Sequence, residues 1–308
     1  MPISISDSLP AGLASTGDRL LVAGLGYTAG RFLSLHGARF TSVTATVRTR
    51  EKARVLAGEG VEARVLKRGR PLSLALAEAA RSATHLLVSV PPDARGDAAL
   101  ESLTPALEHS AALRWIGYLS TVGVYGDHSG EWVDENTPPA PASARARHRL
   151  DAEHGWRTLG EKLGAQVQVF RLPGIYGPGR NALLDIKNGK AKRISKAGQV
   201  FNRAHVDDIA AAIAAGIENP EVGPLINVAD DEPSPQHEVV RFAAELLGME
   251  PPPLVALEEA NLSEMARSFW SEAKRVRNAR LHSELGVSLT YPSYREGLRA
   301  LHESGEGR

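Results

Sequence analysis

Short apolar runs alternate with helix-compatible stretches along most of the chain. Residues 19–24 (RLLVAG) form an apolar run that enters a glycine-rich turn, the pattern of a parallel strand buried on both faces. Residues 28–36 suit a helix. Residues 41–47 (TSVTATV) are β-branched and predict a second strand. Residues 51–60 predict a helix ending at glycine, 61–66 a third strand and 72–81 a third helix. Further buried strands are expected at 85–90 (HLLVSV), 114–119 (RWIGYL), 166–171 and 225–228, with a helix over 98–109. The alanine-rich stretch 210–215 reads as a helix interior. This alternation predicts an α/β fold, a doubly wound parallel sheet of the Rossmann type with helices on both faces. Such sheets bind ligands at the carboxyl ends of their strands, where the strand order reverses.

Pro-rich breaks at 137–141 and 251–253 suggest the organisation. A core over 19–180 and 203–230 is expected, with a small discontinuous lobe from 181–202 and 231–308 that binds substrate. Residues 1–18 read as a tail. They lack a basic start and a continuous apolar stretch and carry Asp7, so they do not resemble a signal peptide.

Composition removes several functions. The 308 residues carry 36 basic and 36 acidic side chains, so no net charge draws the chain to nucleic acid or an anionic membrane. No apolar run approaches the roughly 20 residues that span a bilayer. With no cysteine, disulfides, thiolate nucleophiles and Cys-ligated metals are excluded, and a cytoplasmic location fits. H-E-x-x-H, G-x-S-x-G and the G-x-x-x-x-G-K-[ST] phosphate loop are all missing.

Gly24-Leu25-Gly26-Tyr27-Thr28-Ala29 matches G-x-G-x-x-[GA] between the first strand and a helix. Its glycines permit a tight turn and a close approach to a pyrophosphate, which the helix N-terminus then holds. NAD binders usually place an acid about 20 residues on, for the ribose hydroxyls. Here the second strand runs into Arg48-Thr49-Arg50. A guanidinium fork suits a 2′-phosphate, so NADP(H) is expected over NAD(H).

These segments, with 119–126 (LSTVGVYG), 171–179 (RLPGIYGPG), 205–208 (HVDD) and 227–230 (NVAD), resemble the extended short-chain dehydrogenases, the NAD(P)-dependent epimerase/dehydratase group, and within it an atypical, YeeZ-like branch. The resemblance implies cofactor contacts from Ser89, Val90 and Pro91 after the fourth strand, and from Pro173 and Ile175 after the sixth. It implies a catalytic hydroxyl at Thr121, with Ser120 beside it. The family's Tyr-x-x-x-Lys pair falls, with Glu153 setting the register, on Arg145 and Arg149. Arginine keeps its proton at any working pH and is a poor proton shuttle, but it holds a phosphate, a carboxylate or an oxyanion well.

Tyr125, Tyr176 and His205 are the residues to consider as replacement relays, with a structural role expected for His205. Tyr125 and Tyr176, with Arg180, Asn202 and Arg203, are expected on the substrate side. Their fixed cations favour a small, anionic ligand. Residues 265–270, with aromatics beside an arginine, either cover the cleft or fill the lobe. Two readings stay open: an NADP(H)-dependent oxidoreductase or epimerase acting on a small or nucleotide-linked carbonyl or alcohol, and an NAD(P)-binding sensor that has lost catalysis.

Overall fold

The computed structural model describes residues 17–307. The expected tail lies almost wholly outside the described residues. Seven strands form one sheet: β1 (Arg19–Ala23), β2 (Ser42–Val47), β3 (Glu62–Val65), β4 (His85–Val88), β5 (Trp115–Thr121), β7 (Gln166–Leu172) and β11 (Leu225–Asn227). Their order is β11-β7-β5-β4-β1-β2-β3 and every pairing is parallel. The order reverses between β1 and β4, and this reversal opens a crevice above their carboxyl ends.

Helices cover both faces. Buried side chains of α1 (Tyr27–His36), α2 (Arg50–Gly58) and α7 (Val206–Glu218) join one core with Val22, Leu87 and Phe170. Those of α3 (Leu74–Ser82), α4 (Ala98–Leu107) and α5 (Ala144–Leu163) join the other with Leu21, Leu86 and Tyr118. Neighbouring strand residues point to opposite faces, so the continuous apolar runs feed both cores. Asp97 links two helices. Its carboxylate caps α4 by accepting from Ala99 and Leu100, and it also accepts from the indole of Trp156 on α5, at 3.0 Å.

Beside the strand ends, α6 (Ala182–Lys187), α8 (Gln236–Leu246) and α11 (Tyr294–Glu303) pack around Leu183, Val240 and Leu298. Three short parallel pairs complete this region. The first joins β8 (Gly174–Tyr176) and β10 (Arg203–His205), and the second β9 (Arg193–Ser195) and β12 (Leu254–Ala256). The third joins β6 (Trp132–Val133) and β13 (Arg275–Val276). Two short helices, α9 (Glu264–Ser268) and α10 (Ala279–Ser283), flank the last strand.

His85 shows how strongly the core excludes water. It is 3% exposed on β4, between the rings of Phe40 and Trp115. Burial pushes its pKa down to about 4. The unfolded imidazole titrates near about 6.5, so between these values the unfolded chain binds more protons. The stability that neutral His85 contributes is present above pH ~6.5 and is lost as pH falls towards ~4, by at most about 1.4 kcal/mol per unit. A His85→Phe variant is therefore expected to lose less stability between pH 7 and pH 5, by up to about 2 kcal/mol. Urea unfolding at the two values checks this; parallel losses in both proteins would contradict it.

Candidate active site

The glycine turn sits at the switch point between β1 and β4. Gly24 has a φ of +92°, and a Cβ there would lie 2.7 Å from Val90 Cγ2 on the neighbouring turn. Its N–H donates to Thr46 Oγ1 on β2, and Leu25 N–H donates to the Thr46 carbonyl. Gly26 caps α1 without a side-chain hydrogen bond, and no acid lies in the first turn. The first N–H groups of the helix are therefore available to an anion, above a backbone that no side chain crowds. Ser89 and Val90 border the same turn. This cradle fits a dinucleotide pyrophosphate.

Tyr27 opens α1 and donates from its hydroxyl to the Pro178 carbonyl at 3.0 Å. Burial pushes its pKa up to about 12, against a lowering by Arg180, which stacks on its ring. Lys52 Nζ donates to the Leu25 carbonyl and ties α2 to the turn. At the end of β2, Thr49 caps α2 by accepting from Lys52 N–H. Arg48 and Arg50 are exposed there, and neither has a salt-bridge partner among the described residues.

A cavity of about 1070 Å³ opens beyond the carboxyl ends of the strands. It brings together Pro91, Thr121, Arg145, Arg149, Pro173, Ile175, Arg180, Asn202 and Arg203. Thr121 ends β5 and accepts from Gly123 N–H at 3.1 Å, which leaves its O–H free to donate. Arg149 donates to the Leu119 carbonyl, also on β5, and lies beside the Tyr118 ring. Arg145, one turn earlier on α5, lies over the ring of Phe269. Arg145, Arg149 and Arg180 have no carboxylate partner among the described residues; Glu306 next to Arg180 accepts instead from Gly179 and Asn181. Two carboxylates line the cavity. Glu272 is paired with Lys274, and Asp185 makes no ion pair.

Four expected positions are committed elsewhere. The hydroxyl of Ser120 points away from Thr121, because alternate residues of a strand face opposite sides, and donates to buried Glu153. Tyr125 is fully buried, and its hydroxyl donates to Asn227 Oδ1 at 2.8 Å. Tyr176 is buried against His205 and donates to the Ser293 carbonyl; it borders an adjoining cavity of about 250 Å³ that shares Ile175, Arg180 and Arg203 with the large one. Burial raises the phenol of Tyr125 above its ordinary pKa and drives that of Tyr176 well above it. His205 caps α7 through Nδ1, and burial pushes its pKa down to about 4. No tyrosine or histidine among the described residues lines the large cavity. Asn202 reaches its edge but holds β13 by accepting from Val276 N–H and donating to the Lys274 carbonyl. Arg203 spends one nitrogen on the carbonyls of Phe201 and Ser234.

Beneath Thr121 lies a network that the sequence only hinted at. Glu153 on α5 and Arg171 on β7 form an ion pair at 2.7 Å with both side chains 2% exposed. Arg171 also packs on the Tyr125 ring. A charged residue inside the run QVQVFRL was the available signal, since a buried arginine demands a partner. Among the described residues no cluster of side chains could hold a metal, and no helix is long and apolar enough to cross a membrane.

Residues 97–229 match the NAD dependent epimerase/dehydratase family. Protein YeeZ of Escherichia coli strain K12 is 25% identical over 284 residues, covering 89% of this chain and 96% of its own. The 3-diazoavenalumate denitrifying reductase of a Streptomyces species is 31% identical over 138 residues, 42% of this chain and 45% of that protein. The solved structure of a conserved protein of unknown function from Silicibacter pomeroyi is 45% identical, with a TM-score of 0.83 and coverage of 94% of this chain and 99% of that one. Over residues 97–229 the chain is thus similar to the NAD dependent epimerase/dehydratase family, and the rest of its length is shared with these relatives.

Proposed function

We propose that the protein is an NADP(H)-dependent reductase of a small anionic carbonyl compound. The observation that carries this reading is the composition of the cavity: guanidiniums without a carboxylate partner beside the Thr121 hydroxyl, and no tyrosine or histidine among the described lining residues. Epimerisation through a keto intermediate needs a group that takes and returns a hydroxyl proton. Reduction needs only a stabilised oxyanion and a proton from water.

The core would be residues 19–180 and 203–230, and the lobe 181–202 and 231–308. Gly24, Gly26 and the first turn of α1 would hold the pyrophosphate, with Ser89 and Val90 beside it. Arg48, Thr49 and Arg50 would take the 2′-phosphate, and Pro91, Pro173 and Ile175 would flank the nicotinamide. A reduced nicotinamide held there would supply the hydride for a carbonyl carbon. The carbonyl electron pair moves to oxygen. Thr121 donates a hydrogen bond to that oxygen, and Arg149, steered by its bond to Leu119, offers fixed positive charge. Arg145, together with the remaining nitrogens of Arg149, would bind the ligand's anionic group, and Arg180 adds positive charge to the same cavity.

Removing one such donor costs about 10²–10³ in turnover in well-studied sites. Thr121→Val is expected to lower kcat by about 10–100-fold, with NADPH affinity unchanged. Steady-state assays on a panel of keto and aldehyde acids check this, and unchanged turnover would remove Thr121 from the site. The same lining also favours a second reading, an NADP(H)-responsive sensor. Substrate-dependent oxidation of bound NADPH separates the two.

A further inference from the structure

Arg145 and Arg149 lie one helical turn apart on α5, and both face the cavity. Arg149 is anchored two residues from Thr121 by its bond to the Leu119 carbonyl. The anion they await therefore lies close to the oxygen that Thr121 would hold. A nucleotide sugar does not match, because a sugar ring separates its diphosphate from the reacting carbon.

The same cavity carries an aromatic wall. Phe269 is 49% exposed, and the Arg145 guanidinium lies 4.7 Å from its ring centroid. Trp270, nearly buried, meets Phe201 edge-on with centroids 4.9 Å apart. Lys196 holds this segment by donating to the Trp270 carbonyl at 2.5 Å. All three rings line the cavity. Aromatic side chains accept another ring in edge-on or offset contact.

We propose that the cavity takes an aryl-bearing carboxylic acid, with its carboxylate on Arg145 and Arg149 and its ring against Phe201, Phe269 and Trp270. Its role as a substrate rests on the reductase reading above; its binding does not. Charge-assisted bonds from a guanidinium to a carboxylate outcompete its contact with a ring. The carboxylate would thus take Arg145 from Phe269 and free that ring for the ligand.

Calorimetric titration of the full chain, with and without NADP+, tests this with four probes: 3-phenylpropenoate, its uncharged amide, 3-cyclohexylpropenoate and UDP-glucose. The phenyl acid is expected to bind at least about tenfold tighter than each of the others, the worth of one good contact. Arg145→Gln alone is expected to narrow the difference between acid and amide, and Arg145→Gln with Arg149→Gln to erase it. Phe269→Leu is expected to narrow the difference between phenyl and cyclohexyl while keeping that between acid and amide. Equal binding of acid and amide, equal binding of the two rings, or tighter binding of UDP-glucose would each overturn the proposal. A separate NADPH titration keeps the two claims apart. Phenyl-acid binding without NADPH binding sustains this inference and sinks the reductase reading; NADPH binding without phenyl-acid binding does the reverse.

Discussion

Glu153→Gln is expected to destabilise the protein by about 3–5 kcal/mol, the range for breaking a buried ion pair from one side. The carboxylate accepts from Ser120 and from two nitrogens of Arg171, and both charged side chains are 2% exposed. Glutamine keeps the shape but removes the charge, so the guanidinium stays buried with no counter-ion. One Arg171 nitrogen already lacks a hydrogen-bond partner, which leaves the site little capacity to absorb further loss. The pair joins β5, α5 and β7 directly below Thr121, so the position of Arg149 one turn away depends on it. Replacing both partners, as in Glu153→Leu with Arg171→Met, is expected to cost less than the single change, because no charge remains to be desolvated. Denaturant unfolding of the three proteins measures this. A double variant weaker than Glu153→Gln would show that packing, not charge, sets the cost.

Gly24→Val carries the second large effect. A φ of +92° is unfavourable for any side chain, and the new Cβ would approach both Val90 Cγ2 at 2.7 Å and Val90 N at 3.1 Å. The side-chain contact can shift, but the backbone contact cannot without moving the turn after β4. The two turns that frame the crevice above β1 and β4 must then separate. NADPH affinity is expected to fall by at least about 100-fold, or about 2.7 kcal/mol. Trimming Val90 to alanine is not expected to restore it. Fluorescence titration alongside circular dichroism separates lost binding from lost fold; near-native affinity would mean that the crevice does not bind where Gly24 lies.

The fold was legible because its signals are local. Buried strands appear as unbroken apolar runs, the β-branched run appears as β2, and the glycine turn announces the first crossover. Strand ends moved by a residue or two, as at β5, which runs on to Thr121. What stayed hidden depends on contacts far apart in the chain. Glu153 was visible only as a register marker until Arg171 met it across 18 positions. The resemblance set Thr121 first with Ser120 beside it, and alternation on the strand sends Ser120 into the core and leaves Thr121 at the cavity. Sequence places Tyr125 and Tyr176 near the crevice, but their hydroxyls are taken by Asn227 and the Ser293 carbonyl. Phe269 became meaningful only when Arg145 was found above its ring. The reach of the substitution at Arg145 and Arg149 could be argued from arginine's chemistry alone; the absence of a replacement relay among the described cavity residues could not.

The dinucleotide site is the claim on which the functional account rests, and its selectivity turns on Arg48 and Arg50, which have no acidic partner among the described residues. The direct measurement is a fluorescence titration of NADPH and NADH against the wild type and Arg48→Ala. The account predicts at least about tenfold tighter binding of NADPH in the wild type, with most of that preference lost in the variant. Equal binding of the two cofactors by the wild type, or no binding of either, would contradict it.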